Sequence, residues 1–199
     1  MTPAGPARST RMAPAPFAPS LDMTTEIPGP LSADQFAALA DVARLDSLTV
    51  RDAVRRIVLL GAQRLDVARE LGVGKATVSN AIGRLHDALV TARAALPNDR
   101  KARSAPGAYS AQFEALCQIA RLRPQEVIAA RALALEGAGP EEAAAAANCS
   151  VATARGAAGR LLAALELALA ATGETNVPCP EYAWATRILE VALPRLPAG

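Results

Sequence analysis

The run Gln35-Phe36-x-Ala38-Leu39, followed by Ala43-Arg44-Leu45 and Val50, returns 77 residues later as Gln112-Phe113-x-Ala115-Leu116, Ala120-Arg121-Leu122 and Val127. After a slip of one residue the offset becomes 76. Gly61-Ala62, Ala68, Ala76-Thr77, Ala81, Gly83-Arg84-Leu85 and Ala88-Leu89 then meet Gly137-Ala138, Ala144, Ala152-Thr153, Ala157, Gly159-Arg160-Leu161 and Ala164-Leu165. Some alanine matches are chance in a chain that is about a quarter alanine, but the phenylalanine, glycine and arginine positions recur in register. The chain must therefore build one small unit twice. The expected division is a Pro- and Ala-rich tail over 1–30, read as disordered, a first module over 31–96, a linker over 97–108, a second module over 109–172, and a segment over 173–199 with one amphipathic helix. Met12 and Met23 are alternative starts, Met23 lying just ahead of the first helix.

Alanine at this density favours helices over strands, and only 3% of the residues are aromatic, so the core must be Ala, Leu and Val. The fold class expected is all-α. Arg, Asp and Glu interrupt every apolar stretch short of the ~20 residues that a membrane span needs, which argues against a membrane protein. Cys117, Cys149 and Cys179 are odd in number and widely spaced, without a Cys-x-x-Cys pair, which points away from a disulfide framework or zinc site and towards the cytoplasm. The net charge of +2 is divided unevenly. Leu31–Ser104 carries 12 basic against 8 acidic residues, Ala105–Gly199 7 against 9.

Each module reads as four helices. In the first, Ser32 caps a helix with Phe36, Leu39, Ala40 and Ala43 on one face. Thr49 with Asp52 resembles a capping box for a second, with Val50, Val54, Ile57 and Val58 inward and Gly61 as its stop. A short third helix runs from Arg64 to Leu71 and a longer fourth from Lys75 to Arg93, ahead of Pro97. In the second module Ser110, Pro124 and Pro140 mark helix starts and Gly137 a stop, and Trp184, Ile188 and Val191 form a stripe on a final helix over 180–193.

Arg64 to Ile82 has the spacing of a helix-turn-helix. Ala68 is small where two helices approach closely, Gly72 accepts the positive φ of a sharp turn, and Leu71, Val73, Val78 and Ile82 form the seam between the helices. Lys75, Ala76, Thr77, Ser79, Asn80, Gly83 and Arg84 are left outward, with Arg55, Arg56 and Arg64 nearby as phosphate contacts. Such a face suits DNA, because Asn pairs with adenine N6/N7, Ser donates or accepts, and Lys reaches guanine or phosphate.

Leu31-Ser32-Ala33-Asp34-Gln35-Phe36, the Gly61-terminated helix and Thr77-Val78-Ser79-Asn80-Ala81-Ile82-Gly83-Arg84 together resemble the KorA/TrfB family of plasmid-encoded transcriptional repressors. The resemblance covers about sixty residues of the first module and implies a repressor that binds a palindromic operator as a homodimer. By position it puts Lys75 in the place of a family Arg and Asn80 in that of a Gln, with Ser79 and Arg84 unchanged. Family members are shorter, with one such module and a C-terminal dimerisation element.

The second copy departs further. Asn148 takes the turn position, and Val151, Ala152, Arg155 and Gly156 face outward, so that only Arg155 and Arg160 remain as candidate DNA contacts. Arg123–Arg131 followed by Leu135-Glu-Gly137 is also similar to region 4 of bacterial sigma factors. Either the two copies act as a pseudo-dimer on unequal half-sites, or the second has become a dimerisation or partner-binding module; its acidic balance favours the latter. The function expected is a cytoplasmic, sequence-specific regulator of transcription that binds double-stranded DNA, with RNA polymerase or another regulator as a further candidate partner. The alternative is a polymerase- or sigma-binding helical adaptor. An enzyme, a cofactor and a metal site are not expected: His86 is the sole histidine, Cys149 aligns with the core position Val73, and no Gly-rich phosphate loop occurs.

Overall fold

The computed structural model describes residues 31–96 and 108–174, and every regular element among them is helical. The tail over 1–30, most of the linker, the segment over 180–193 and Cys179 lie outside the described residues. The first module contains α1 (Ala33–Val42), α2 (Leu48–Leu60), α3 (Arg64–Glu70) and α4 (Lys75–Ala95). The second contains α5 (Ala108–Ala120), α6 (Pro124–Arg131, continued by a wider turn over Ala132–Glu136), α7 (Pro140–Ala146) and α8 (Val151–Thr172).

The duplication is written into the backbone. Left-handed φ angles occur in pairs at Arg44 (50°) and Arg121 (49°), Gly61 (66°) and Gly137 (73°), and Gly72 (62°) and Asn148 (48°). Each of these residues turns the chain after a helix, where the next amides donate back to carbonyls of the last turn. Thus Val73 N donates to Ala68 O at 2.9 Å, and Cys149 N to Ala144 O at 3.0 Å. Gly and Asn enter this region readily, whereas at Arg44 and Arg121 an ordinary side chain is held there by its surroundings.

Three local expectations are corrected. The second helix is capped by Ser47, whose Oγ accepts from Val50 N, so Thr49 and Asp52 lie inside the helix instead of forming its capping box. The one-residue slip falls in the α1–α2 connection: the N-caps Ser47 and Arg123 are already 76 apart, which sets Val50 opposite Glu126 and not Val127. α5 begins at Ala108, inside the expected linker, and the Ser110 hydroxyl reaches Glu114 instead of capping the helix. Ser32, Gly61, Pro124, Gly137 and Pro140 sit at the helix ends where the sequence places them.

The modules are not beads on a string. α1 packs more extensively on α8 than on its own α4, α5 likewise more on α4 than on α8, and α4 and α8 pack on each other. This reciprocal exchange is the pattern of a two-fold pair made inside one chain. One core cluster results. Equivalent leucines of the two copies, Leu39 and Leu116, and Leu85 and Leu161, are fully buried in it. Between them the long helices bury alanine: Ala81, Ala88, Ala92 and Ala95 on α4, and Ala154, Ala157, Ala164 and Ala168 on α8.

Because the core is shared, Leu161→Ala is expected to cost about 2–5 kcal/mol and to lower a single melting transition that includes both modules. Circular dichroism would show one cooperative step; two separated steps would contradict the shared core.

Candidate nucleic-acid interface

Two layers support the expected reading helix. Val67 and Ala68 of α3 are buried, Val78, Ala81 and Ile82 of α4 are buried beneath them, and Leu71 and Val73 of the turn pack half-buried on the same core. α3 and α4 are thereby fixed as a helix-turn-helix, with α2 packed against both. On the outer side Lys75, Ala76, Thr77 and Asn80 are exposed, and Ser79 and Gly83 are partly exposed. A Cβ placed on Gly83 would meet nothing within 4 Å, so the backbone there lies open.

The cations sort into two groups. Arg55, Arg64 and Lys75 have no side-chain partner among the described residues. Arg69, which the sequence reading missed, joins them at the exposed C-terminal turn of α3. Its signal was available: it lies three residues ahead of the turn glycine, off the Val67–Ala68 seam. Arg55 borders an open groove of about 370 Å³ together with Phe36, Leu48 and Arg51.

In the second group the guanidinium already has a partner within the fold. Arg84 is exposed, but its guanidinium donates to the carbonyls of Ala43 and of Arg44, the latter at 2.6 Å. It satisfies the C-terminal end of α1 at the strained Arg44 turn and so is a structural residue. Arg56 is held by Asp52 at 2.9 Å and Glu70 at 2.7 Å, tying α2 to α3. In the second copy Arg160 pairs with Glu126 at 2.5 Å. Glu126, nearly buried, also accepts from Arg123 N at 2.7 Å. That backbone hydrogen bond, with the Arg160 guanidinium, outweighs burial and holds its carboxyl below the ordinary range.

Comparison at the 76-residue offset shows how the second face differs. Lys75, Ser79 and Asn80 become Val151, Arg155 and Gly156, while Ala76, Thr77 and Gly83 are kept as Ala152, Thr153 and Gly159. Arg155 is exposed without a side-chain partner among the described residues. Arg131, the counterpart of Arg55, lies 5.5 Å over the Phe113 ring and 3.8 Å from Glu114, and the first copy has Ala37 where Glu114 would be.

Cys117 and Cys149 are free thiols, buried and half-buried. Burial pushes the Cys117 pKa up to about 11, so that thiol is protonated at neutral pH. His86 is half-buried, with Nδ1 3.7 Å from Asp87 Oδ1. Among the described residues no group of His, Cys, Asp or Glu is arranged to hold a metal, and no helix is long and apolar enough to cross a membrane. Comparison with family models, curated proteins and solved structures returns no match.

Two outcomes follow from these assignments. Arg84→Ala is expected to lower the melting temperature, because two helix-end carbonyls lose their donor; unchanged stability would contradict that structural role. Glu126 has a folded pKa below its unfolded value, so its stabilisation is present above the ordinary carboxylate range near about 4.3 and fades as the pH falls through the lower folded value. Glu126→Gln should therefore be less stable than the parent at neutral pH, with the gap in denaturation midpoint narrowing as the pH falls below the ordinary carboxylate range.

Proposed function

We propose that the protein is a cytoplasmic, sequence-specific DNA-binding regulator of transcription, acting as a repressor by occupying a promoter operator, without catalytic activity or cofactor. The reading rests on one observation: the α3–α4 helix-turn-helix is intact and its outer face is polar, cationic and uncovered by the other described residues. Asn80 has the chemistry for adenine and Lys75 for guanine, each from the first two turns of α4. Ser79 and Thr77 supply hydroxyls beside them. Arg55, Arg64 and Arg69 are free to meet phosphates, which position the helix without specifying sequence. The resemblance to KorA/TrfB repressors agrees in the identity of Ser79 and in the place of Asn80.

A second reading, a polymerase- or sigma-binding adaptor, is favoured by the other module, whose corresponding face carries Glu141 and Glu142 and has lost most of its cations. Salt separates the two. Release of counterions by about four cations gives a log–log slope of roughly −3 to −4 for duplex DNA, measured by fluorescence anisotropy. Asn80→Ala is expected to cost about 1–3 kcal/mol on the preferred sequence and to relax its specificity. A flat salt response, with Asn80→Ala silent, would remove the regulator reading and leave the adaptor.

A further inference from the structure

We infer that one chain recognises one unrepeated DNA half-site, the second module serving as a built-in partner that does not read sequence. The inference rests on the DNA-binding reading above and goes beyond it, because a symmetric pair of chains would instead require an inverted repeat.

Two independent observations carry it. The first is the exchange of helices. α1 lies on α8 and α5 lies on α4, so each module's first helix is already spent on the other copy, and both long helices meet inside the chain. The faces of α1, α4, α5 and α8 that a lone module would leave open are covered by its own duplicate in one continuous core, while Leu48, Leu60, Leu65, Val90 and Ile128 stay exposed outside it.

The second is where the copies differ. Buried and turn positions kept their character: Ala68 and Ala144 both sit under the turn, and Asn148 adopts the left-handed angle of Gly72. The outward positions did not. Lys75 and Asn80 have become Val151 and Gly156, which offer no hydrogen bond to a base edge from their side chains. Around that face Arg64 and Arg69 have become Pro140 and Ala145, and Leu65 has become Glu141. Glu141 and Glu142 stand in the first turn of α7, where the first copy has Leu65 and Asp66 after Arg64. A phosphate brought there meets two carboxylates and no cation, where the first copy sets Arg64 beside a single carboxylate. Arg155 is one exposed cation against the two, Arg160 is paired with Glu126, and Arg131 is occupied by Phe113 and Glu114. The second head has kept its framework and lost its contacts.

The test is selection of full-length protein against random duplex DNA, followed by sedimentation of the complex with the selected duplex. The expected product is a single motif without internal symmetry, bound by one chain per duplex. Asn80→Ala should lower affinity for it by roughly 5- to 150-fold, whereas Arg155→Ala should change affinity less than about twofold and leave the motif intact. An inverted repeat holding two chains would overturn the inference. So would a motif of two unlike halves in which Arg155→Ala alters the second half, since that head would then be reading. Failure to enrich any sequence at low salt would remove the DNA-binding reading itself, and this inference with it.

Discussion

Burial of alanine along two long helices that pack on each other is the constraint on which the architecture depends. α4 and α8 each bury a row of alanines, and only side chains of that size let their backbones lie near enough for α1 and α5 to reach across and cover them. Larger residues would force the modules apart and leave both first helices without their main contact. The leucines that fill the remaining volume, Leu39, Leu85, Leu116 and Leu161, come in equivalent pairs from the two copies, so neither copy owns the core. The helix-turn-helix faces lie outside this seam, and their residues vary without disturbing it.

Much of this was legible in the amino-acid order. Periodicity placed Phe36, Leu39, Ala40 and Ala43 on one buried face, and the turn positions Gly61, Gly72, Gly137 and Asn148 all adopt the backbone that their residue types suggested. These are local matters, settled by spacing and by steric tolerance. The capping of α2 was also local but misread, since Ser47 and Thr49 are chemically equivalent caps and only the length of the preceding turn chooses between them.

What sequence could not supply was long-range. A repeat says that two copies exist, not which helix of one lies against which helix of the other. Arg84 has the place of a DNA contact by motif, yet the carbonyls that claim it belong to residues 43 and 44, brought near only by folding. Arg56 and Arg160 are engaged in the same way, by carboxylates on neighbouring helices. Arg69 shows the reverse: an unremarked residue becomes a candidate because no side chain among the described residues pairs with it.

Joining the halves of a pair in one polypeptide also changes how the assembly responds to dilution. A pair of separate subunits dissociates when it becomes scarce, so the active fraction falls faster than the total amount. Here the halves stay at a fixed effective concentration set by their tether, and the amount of assembled protein tracks the number of chains in simple proportion. A few molecules per cell are then as fully assembled as many.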